Sequence, residues 1–187
     1  MLIIGFGTRQ GTGKDTAAEF LRQEFWRHRP DLSVKCVGFA DPMKDAAHLF
    51  YKWAGLQPRK FYEKHPERKN DFLPDLDMTV RQVWIKFGLA IRKVHPYTLI
   101  NFVAKNYKCD VLIVRDVRDP YETEVIHGAN GVLVEMLRQS APVSNDDLDS
   151  ALDDFQDWDY HLPNNGTKAD LKRLVGTLYK FVAERLP

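Results

Sequence analysis

The sequence has little cysteine and no long hydrophobic run, and each absence excludes a class of protein. Cys36 and Cys109 are its two cysteines, and each stands beside an apolar strand-like run. We expect buried thiols in a reducing compartment, without metal-ligand spacing. No apolar stretch approaches the roughly 18 residues of a membrane-spanning helix, and the N-terminal apolar run is too short for a signal peptide. These features favour a soluble, cytoplasmic protein.

Excess charge of either sign is also missing. The formal net charge is +1, so no strong field favours nucleic acid or an anionic membrane as a partner, and local basic pockets must do any phosphate binding. The sequence shows no internal repeat and no low-complexity tract. Its 187 residues, 44% of them hydrophobic, suit a single domain over 1–187 with a full core.

What is present is a glycine-rich loop near the start, in MLIIGFGTRQGTGKDT. It lies between an apolar run and an amphipathic helical pattern, which is the context that a phosphate-binding P-loop needs. Glycines let backbone N–H groups approach phosphate closely, and the helix directs its positive end at the same anion. A lysine adds a cation that can follow charge through a phosphoryl transfer. The residues expected to bind ATP here are Gly11, Thr12, Gly13, Lys14, Asp15 and Thr16.

The loop departs from the usual pattern G-x-x-x-x-G-K-[ST] at two positions. Thr8 stands where the first glycine is expected, with Gly7 one residue early, and Asp15 stands where a hydroxyl normally holds Mg²⁺. Asp15 either reaches the ion through water or is only a first-turn helix acid, and the hydroxyl comes one residue later, at Thr16. The alternative is a loop that binds nothing, which is disfavoured because strand, loop, lysine and helix agree.

Strand and helix signals alternate along the rest of the chain. This alternation predicts an α/β fold of three layers, with a mostly parallel five-stranded sheet and helices on both faces. The predicted strands are 2–6, 34–40, 111–114, 131–137 and 158–162. The predicted helices are 15–28, 41–55, 79–106 with a break at Pro96, a short helix after Pro120, and a last helix capped by Thr167. The polar segment 56–78 shows no period and reads as a flap or a solvated loop.

Ligands bind such sheets at the carboxyl ends of the strands, where Asp116 is expected to position Mg²⁺ together with Thr16. The alternative for Asp116 is pairing with Arg115 or Arg118, or capping a turn. Arg118 either binds phosphate or pairs with Glu122, four residues on. Arg138 follows the fourth strand and either lies on the adenine or triphosphate or is solvated.

Acceptor-side candidates lie on two predicted helices. Arg81 stands one turn into the helix capped by Thr79, and its forked guanidinium suits a phosphate; a surface arginine is the alternative, and Arg92 is a weaker second candidate. Asp41 is expected to cap its helix, with contact to the acceptor as a further role, and Lys44 lies on the same helix start. The acidic run 146–159 lacks EF-hand spacing and reads as a solvated helix face.

Taken in order, five segments resemble the deoxynucleoside monophosphate kinases of tailed phages and their P-loop kinase relatives. They are GTGKDT at 11–16, GFADPMKDAAHLF at 38–50, MTVRQVWIKFG at 78–88, LIVRDVRDPYETEVI at 112–126 and LDDFQDWDYHLPNNGTKADL at 152–171. The resemblance covers nearly the whole chain and implies transfer of the ATP γ-phosphoryl group to a deoxynucleoside monophosphate with Mg²⁺. It is also compatible with a homodimer.

The chain departs from this family where the base or sugar preference is concerned. Ile85 and Leu89 replace the family's Gln and Thr, and 142–145 lacks its His-x-Ser-Glu. In the resulting hypothesis Lys14, Asp116 and Arg81 are catalytic, and 56–78 or the segment after Arg138 closes to exclude water. The alternatives are another small-molecule P-loop kinase, similar to dephospho-coenzyme A or phosphomevalonate kinase, and a nucleotide-binding regulatory module without kinase activity.

Overall fold

This computed structural model describes residues 1–141 and 150–186, which contain both strands and helices. The strands are β1 (Leu2–Gly7), β2 (Val34–Val37), β3 (Phe72–Leu73), β4 (Met78–Thr79), β5 (Val111–Val117), β6 (Val132–Leu137) and β7 (Tyr160–Pro163). The helices are α1 (Lys14–His28), α2 (Asp41–Tyr51), α3 (Arg59–Lys64), α4 (Val80–Val94), α5 (Thr98–Asn106), α6 (Pro120–Gly128) and α7 (Lys168–Ala183).

The chain divides into two compact units. The sheet unit comprises Met1–Gly38 and Tyr107–Pro187, and the helical unit comprises Phe39–Asn106. The sheet unit therefore contains the glycine-rich loop, whereas the helical unit contains α2 to α5 and the small hairpin of β3 with β4.

The sheet is five-stranded and parallel, in the order β2-β5-β1-β6-β7. Its centre is β1, in which every residue is buried. A continuous apolar run is expected of a strand covered on both faces, whereas an antiparallel strand with one solvated face would alternate. The predicted edge strand is confirmed, since β7 pairs only with β6 within the described sheet.

Helices cover both faces of the sheet. Because side chains alternate along a strand, Ile4 and Phe6 of β1 point to one face, where they join the cluster that contains Leu21 of α1 and Leu178 of α7. Gly5 faces the opposite side, where Ile126 of α6 approaches so closely that an added Cβ would lie 2.6 Å from it. The predicted three-layer α/β fold class is confirmed.

Two helix starts follow the predicted caps. Thr79 and Thr167 each accept a hydrogen bond from a backbone N–H three residues on, and Gln82 and Asp170 complete capping boxes. The cap predicted at Asp41 is wrong. Ala40 holds the N-cap position without a side-chain hydrogen bond, and Asp41 is the first helical residue, whose carboxylate is instead engaged with an arginine.

The helical unit has its own core. Its members include Met43, Ala47, Leu56, Tyr62, Leu73, Val83 and Trp84. The segment 56–78 is therefore not an irregular loop: it contains α3, the β3–β4 hairpin and short 3₁₀ turns, and its Leu56, Tyr62 and Leu73 are buried. No periodic pattern predicts these elements because tertiary contacts hold them. On α2 and just after it, the large apolar side chains of Leu49, Phe50 and Trp53 are exposed.

Several boundaries and burial states differ from those predicted. Strand β2 ends at Val37. Strand β5 extends to Val117, so Asp116 is the second-last residue of this strand and does not lie after it. Both cysteines are half-buried rather than buried. In the acidic run, 151–154 forms a turn rather than a helix face, while 142–149 lies outside the described residues. Among the described helices, none is long and apolar enough to cross a membrane.

Candidate phosphate-binding site

The glycine-rich loop lies at the carboxyl edge of the sheet, between β1 and α1. It also lies where the chain reverses its direction across the sheet. Strands β5 and β2 lie on one side of β1, and the later strands β6 and β7 lie on the other side. This switch of direction is where open parallel sheets bind ligands.

Three residues of the loop have positive φ. Gly11 and Gly13 have φ values of 80° and 97°, and Thr8 has a φ of 98°. A β-branched residue is strained at such a φ, and the Thr8 hydroxyl helps to hold it by donating to the Met136 carbonyl at 2.8 Å. Thr8 occupies the position of the usual first glycine and has a φ in the region that favours glycine.

Gly7, one residue early, serves a packing role. A Cβ on Gly7 would lie 2.4 Å from the Trp158 ring. The Trp158 indole N–H donates to the Phe155 carbonyl at 3.0 Å, which fixes the ring over the end of β1. Gly7 thus leaves room for the ring of Trp158, which lies in the segment before β7.

Lys14 is buried at the first position of α1, with 6% of its surface exposed. Its ammonium donates to the Thr8 carbonyl at 2.6 Å and to the Arg9 carbonyl, with the Thr12 hydroxyl at 3.5 Å. A buried ammonium needs such partners. The contacts place the charge within the loop that precedes its own helix.

Side chains from the loops after β6 and β7 reach the P-loop. Asn164 donates from its Nδ2 to the Thr12 carbonyl at 2.8 Å, and Arg138 donates from Nη1 to the Gly11 carbonyl at 3.3 Å. Arg138 is exposed, and its Nε also donates to the Ser140 hydroxyl at 3.1 Å. Asn165 accepts the Gln139 N–H at 2.8 Å and so ties the two outer loops to each other.

An ion pair joins the P-loop to the turn before Trp158. Arg9 donates from Nε and Nη2 to the two Asp153 carboxylate oxygens at 2.9 and 2.6 Å. These hydrogen bonds hold the pKa of Asp153 below its usual range. Asp153 belongs to the acidic run that the sequence suggested was merely solvated.

Asp116 and Thr16 supply hard oxygen donors in the sheet unit, and both are half-buried. The two Asp116 oxygens lie 2.6 and 2.7 Å from where a Cβ on Gly38 would be, so the carboxylate depends on a glycine at the end of β2. One carboxylate and one hydroxyl suit Mg²⁺, which takes few protein ligands and completes its shell with phosphates and waters. No cluster of three His, Cys, Asp or Glu residues that could hold a metal is found in the described part of the chain.

The other acidic and basic candidates of this unit have structural contacts. Asp15 is exposed, and its Oδ1 lies 3.7 Å from Nε of Arg115. The buried Glu122 carboxylate accepts a hydrogen bond from the backbone N–H of Arg118 at 2.8 Å. This contact between the two residues uses the main chain of Arg118.

The acceptor-side candidates Asp41, Lys44, Arg81 and Arg92 all lie in the helical unit. Asp41 is buried, and its Oδ2 lies 3.5 Å from Nη1 of Arg59. The Lys44 ammonium lies 5.6 Å from the centroid of the Trp84 ring, close enough for a cation–π contact. Arg81 and Arg92 are half-buried on α4.

Arg59 was not predicted from the sequence. Besides Asp41, it pairs with Asp45, at 3.0 Å between Nε and Oδ1, and with Glu63. Burial works against its charge, but the Asp45, Asp41 and Glu63 carboxylates raise the pKa of Arg59. Asn164, Arg9 and Gly38 were missed as well, and the only sequence signal was that Gly38 and Asn164 lie in the resembling segments.

Comparison with protein-family models and with curated proteins gives no match. Among solved structures, the chain is similar to the crystal structure of shikimate kinase from Aquifex aeolicus, with a TM-score of 0.45 and 11% sequence identity. The similarity covers 97% of this chain and 98% of that chain. A TM-score below 0.5 with so few identical residues supports no statement about activity or substrate.

Proposed function

We propose that this protein is a P-loop kinase that transfers the γ-phosphoryl group of ATP to a deoxynucleoside monophosphate. The observation that carries the proposal is the position of the buried Lys14 ammonium, which donates to carbonyls of the preceding loop. That loop contains three residues of positive φ and lies at the switch point of a parallel sheet. The order of the five resembling segments supports the choice of a nucleotide as acceptor.

On the donor side, the backbone N–H groups of residues 11–16 and the start of α1 bind the β- and γ-phosphates. The Lys14 ammonium exchanges its loop carbonyl partners for phosphate oxygens and neutralises charge that develops during transfer. Arg138, at the rim of the loop, binds the adenine or the triphosphate.

Thr16 and Asp116 would hold Mg²⁺, each directly or through water. The ion would supply positive charge that offsets the charge of the phosphates during transfer. The task of the chain's own residues is to keep these two oxygen donors in place.

On the acceptor side, Arg81 binds the acceptor phosphate with its forked guanidinium, and Arg92 and Arg118 add positive charge. Asp41 and Lys44 contact the acceptor nucleotide. We further propose that 1–187 acts as one kinase domain and that either 56–78 or the segment after Arg138 serves as a lid that excludes water.

The test is a coupled assay of ADP release with ATP, Mg²⁺ and each of dAMP, dCMP, dGMP, dTMP and hydroxymethyl-dCMP. The proposal predicts ADP release that depends on at least one of these acceptors. Release that is independent of any acceptor would instead indicate an ATPase or a switch. If all five fail and dephospho-coenzyme A or phosphomevalonate succeeds, the kinase chemistry stands and the nucleotide acceptor is wrong.

A further inference from the structure

We infer that Asn164 is a positioning residue that sets the direction in which P-loop amides face the nucleotide phosphates. The inference rests on the proposed function, since it assumes that the loop binds ATP. Asn164 belongs to the turn after β7 and reaches a loop that precedes it by 152 positions.

The argument begins with the planarity of the peptide bond. In a trans peptide the carbonyl and the N–H of the next residue point in opposite directions. Because Asn164 holds the Thr12 carbonyl at 2.8 Å, the N–H of Gly13 is directed away from Asn164. The hydrogen bond therefore selects one of the two faces that this peptide can present.

The fit between Asn164 and Gly13 is tight. A Cβ on Gly13 would lie 2.4 Å from Nδ2 of Asn164, so the amide group occupies space that only a glycine leaves open. Gly13 also has a φ of 97°, a conformation in which consecutive N–H groups form an anion-binding concavity. The side-chain amide of Asn164 thus holds the Thr12 carbonyl and packs directly against Gly13.

Burial makes the contact more than a surface hydrogen bond. Asn164 is 9% exposed and Thr12 3% exposed, so neither group is easily satisfied by water if the pair is broken. The Asn164 backbone N–H also donates to the Leu137 carbonyl at 2.7 Å, which anchors the residue between β6 and β7 independently of its side chain.

Two adjacent asparagines provide a matched test. Asn164 uses its Nδ2 as a donor, whereas Asn165 uses its Oδ1 as an acceptor. Asn164→Asp replaces the donor by an oxygen that repels the Thr12 carbonyl, whereas Asn165→Asp keeps the acceptor. Both variants add one negative charge, but Asn164 is buried and Asn165 is exposed. Asn164→Ala removes the donor without adding charge, so it separates loss of the hydrogen bond from repulsion of the triphosphate.

The measurement is the KM for ATP and the KM for the acceptor of each variant, with the thermal unfolding midpoint as a check of folding. We expect Asn164→Asp to raise the KM for ATP by at least about tenfold, as loss of a supporting contact does in other sites, without a comparable change in the KM for the acceptor. Asn165→Asp should stay within about threefold of the wild type for both. A general loosening of the fold would lower the amount of active enzyme without separating the two KM values.

Equal KM values for ATP in the two variants would overturn the inference. If Asn164→Asp does not fold, Asn164→Ala takes its place, and the same rise in the KM for ATP alone is required; an unchanged value overturns the inference. A wild-type protein that neither binds ATP nor releases ADP is a different outcome, because it refutes the proposed function first.

Discussion

The carboxylate of Asp116 occupies the space that a side chain on Gly38 would need. A Cβ built on Gly38 would lie 2.6 and 2.7 Å from its two oxygens and 2.9 Å from Cγ. Gly38 directly follows β2, and Asp116 lies near the end of β5, the neighbouring strand. The position of the proposed metal-binding carboxylate therefore requires that residue 38, just after the neighbouring strand β2, has no side chain.

Gly38→Ala should inactivate the enzyme without unfolding it. The Asp116 carboxylate is the mobile end of a side chain and can rotate away from the new methyl group, but a displacement of about 1 Å at a catalytic group can cost on the order of 10²-fold in rate. Turnover and the unfolding midpoint measure the two effects separately.

Gly176→Ala is the matched control for this substitution. An added Cβ at Gly176 meets nothing within 4 Å, and alanine in a helix is favoured over glycine by about 0.5–1 kcal/mol. This variant should be fully active and slightly more stable. Full activity of Gly38→Ala would remove Asp116 from the proposed site.

Lys14→Ala should keep the fold and lose at least about 10²-fold in turnover, the scale for removal of one preorganised charge. The loop carbonyls of Thr8 and Arg9 lose their buried ammonium partner, so a modest loss of stability is also expected. Steady-state ADP release checks the rate, and Lys180→Ala on the exposed side of α7 controls for loss of a lysine. Near-normal turnover of Lys14→Ala would contradict the P-loop assignment.

Arg81→Ala should raise the KM for the acceptor and leave the affinity for ATP nearly intact. The reason is that a guanidinium that pairs with the acceptor phosphate does not contact the donor. Arg173→Ala is a suitable comparison, because Arg173 is an exposed arginine on α7 whose Nη2 lies 4.0 Å from Oδ1 of Asp170. An acceptor KM equal to that of the wild type would remove Arg81 from the site.

Asp153→Asn should change how stability depends on pH. The Arg9 hydrogen bonds lower the pKa of Asp153, so the folded state favours the ionised carboxylate. This contribution is present above about pH 4, the ordinary carboxyl value, and is lost as the pH falls through the lowered pKa.

Urea unfolding at a series of pH values measures this effect. The series runs from about pH 6, above the ordinary carboxyl pKa, down to the lowest pH at which the protein still folds. The difference in stability between wild type and Asp153→Asn should shrink as the pH falls. Asp154→Asn, one residue further along the same exposed turn, controls for the loss of one surface charge. A difference that stays constant with pH would show that the ion pair does not contribute.

The sequence predicts what is local in the chain. The P-loop context, the caps at Thr79 and Thr167 and the buried strand at 111–114 are local patterns, and the structure confirms these elements. The segment 56–78 was not predictable in this way. Its elements depend on contacts such as the Tyr62 hydroxyl accepting the Gln57 N–H at 3.0 Å, which leave no period in the sequence.

The outer contacts of the loop could not be predicted because their partners are far apart in the chain. Arg9 and Asp153 are separated by 144 positions, and Thr12 and Asn164 by 152. Each residue alone reads as a solvated charge or a turn former, and only the parallel sheet brings their loops to one edge. Thr8 is a different case. A search for the usual glycine pattern would reject a threonine at this position, yet its φ of 98° is one that favours glycine.

The most direct test of the central claim follows the transferred atoms. ATP that carries ¹⁸O in its γ-phosphoryl group is incubated with the protein, Mg²⁺ and the best acceptor of the panel, and the products are analysed by mass spectrometry. Our account predicts labelled deoxynucleoside diphosphate, with the label in its terminal phosphate. Label found only in inorganic phosphate, with the monophosphate unchanged, would contradict it.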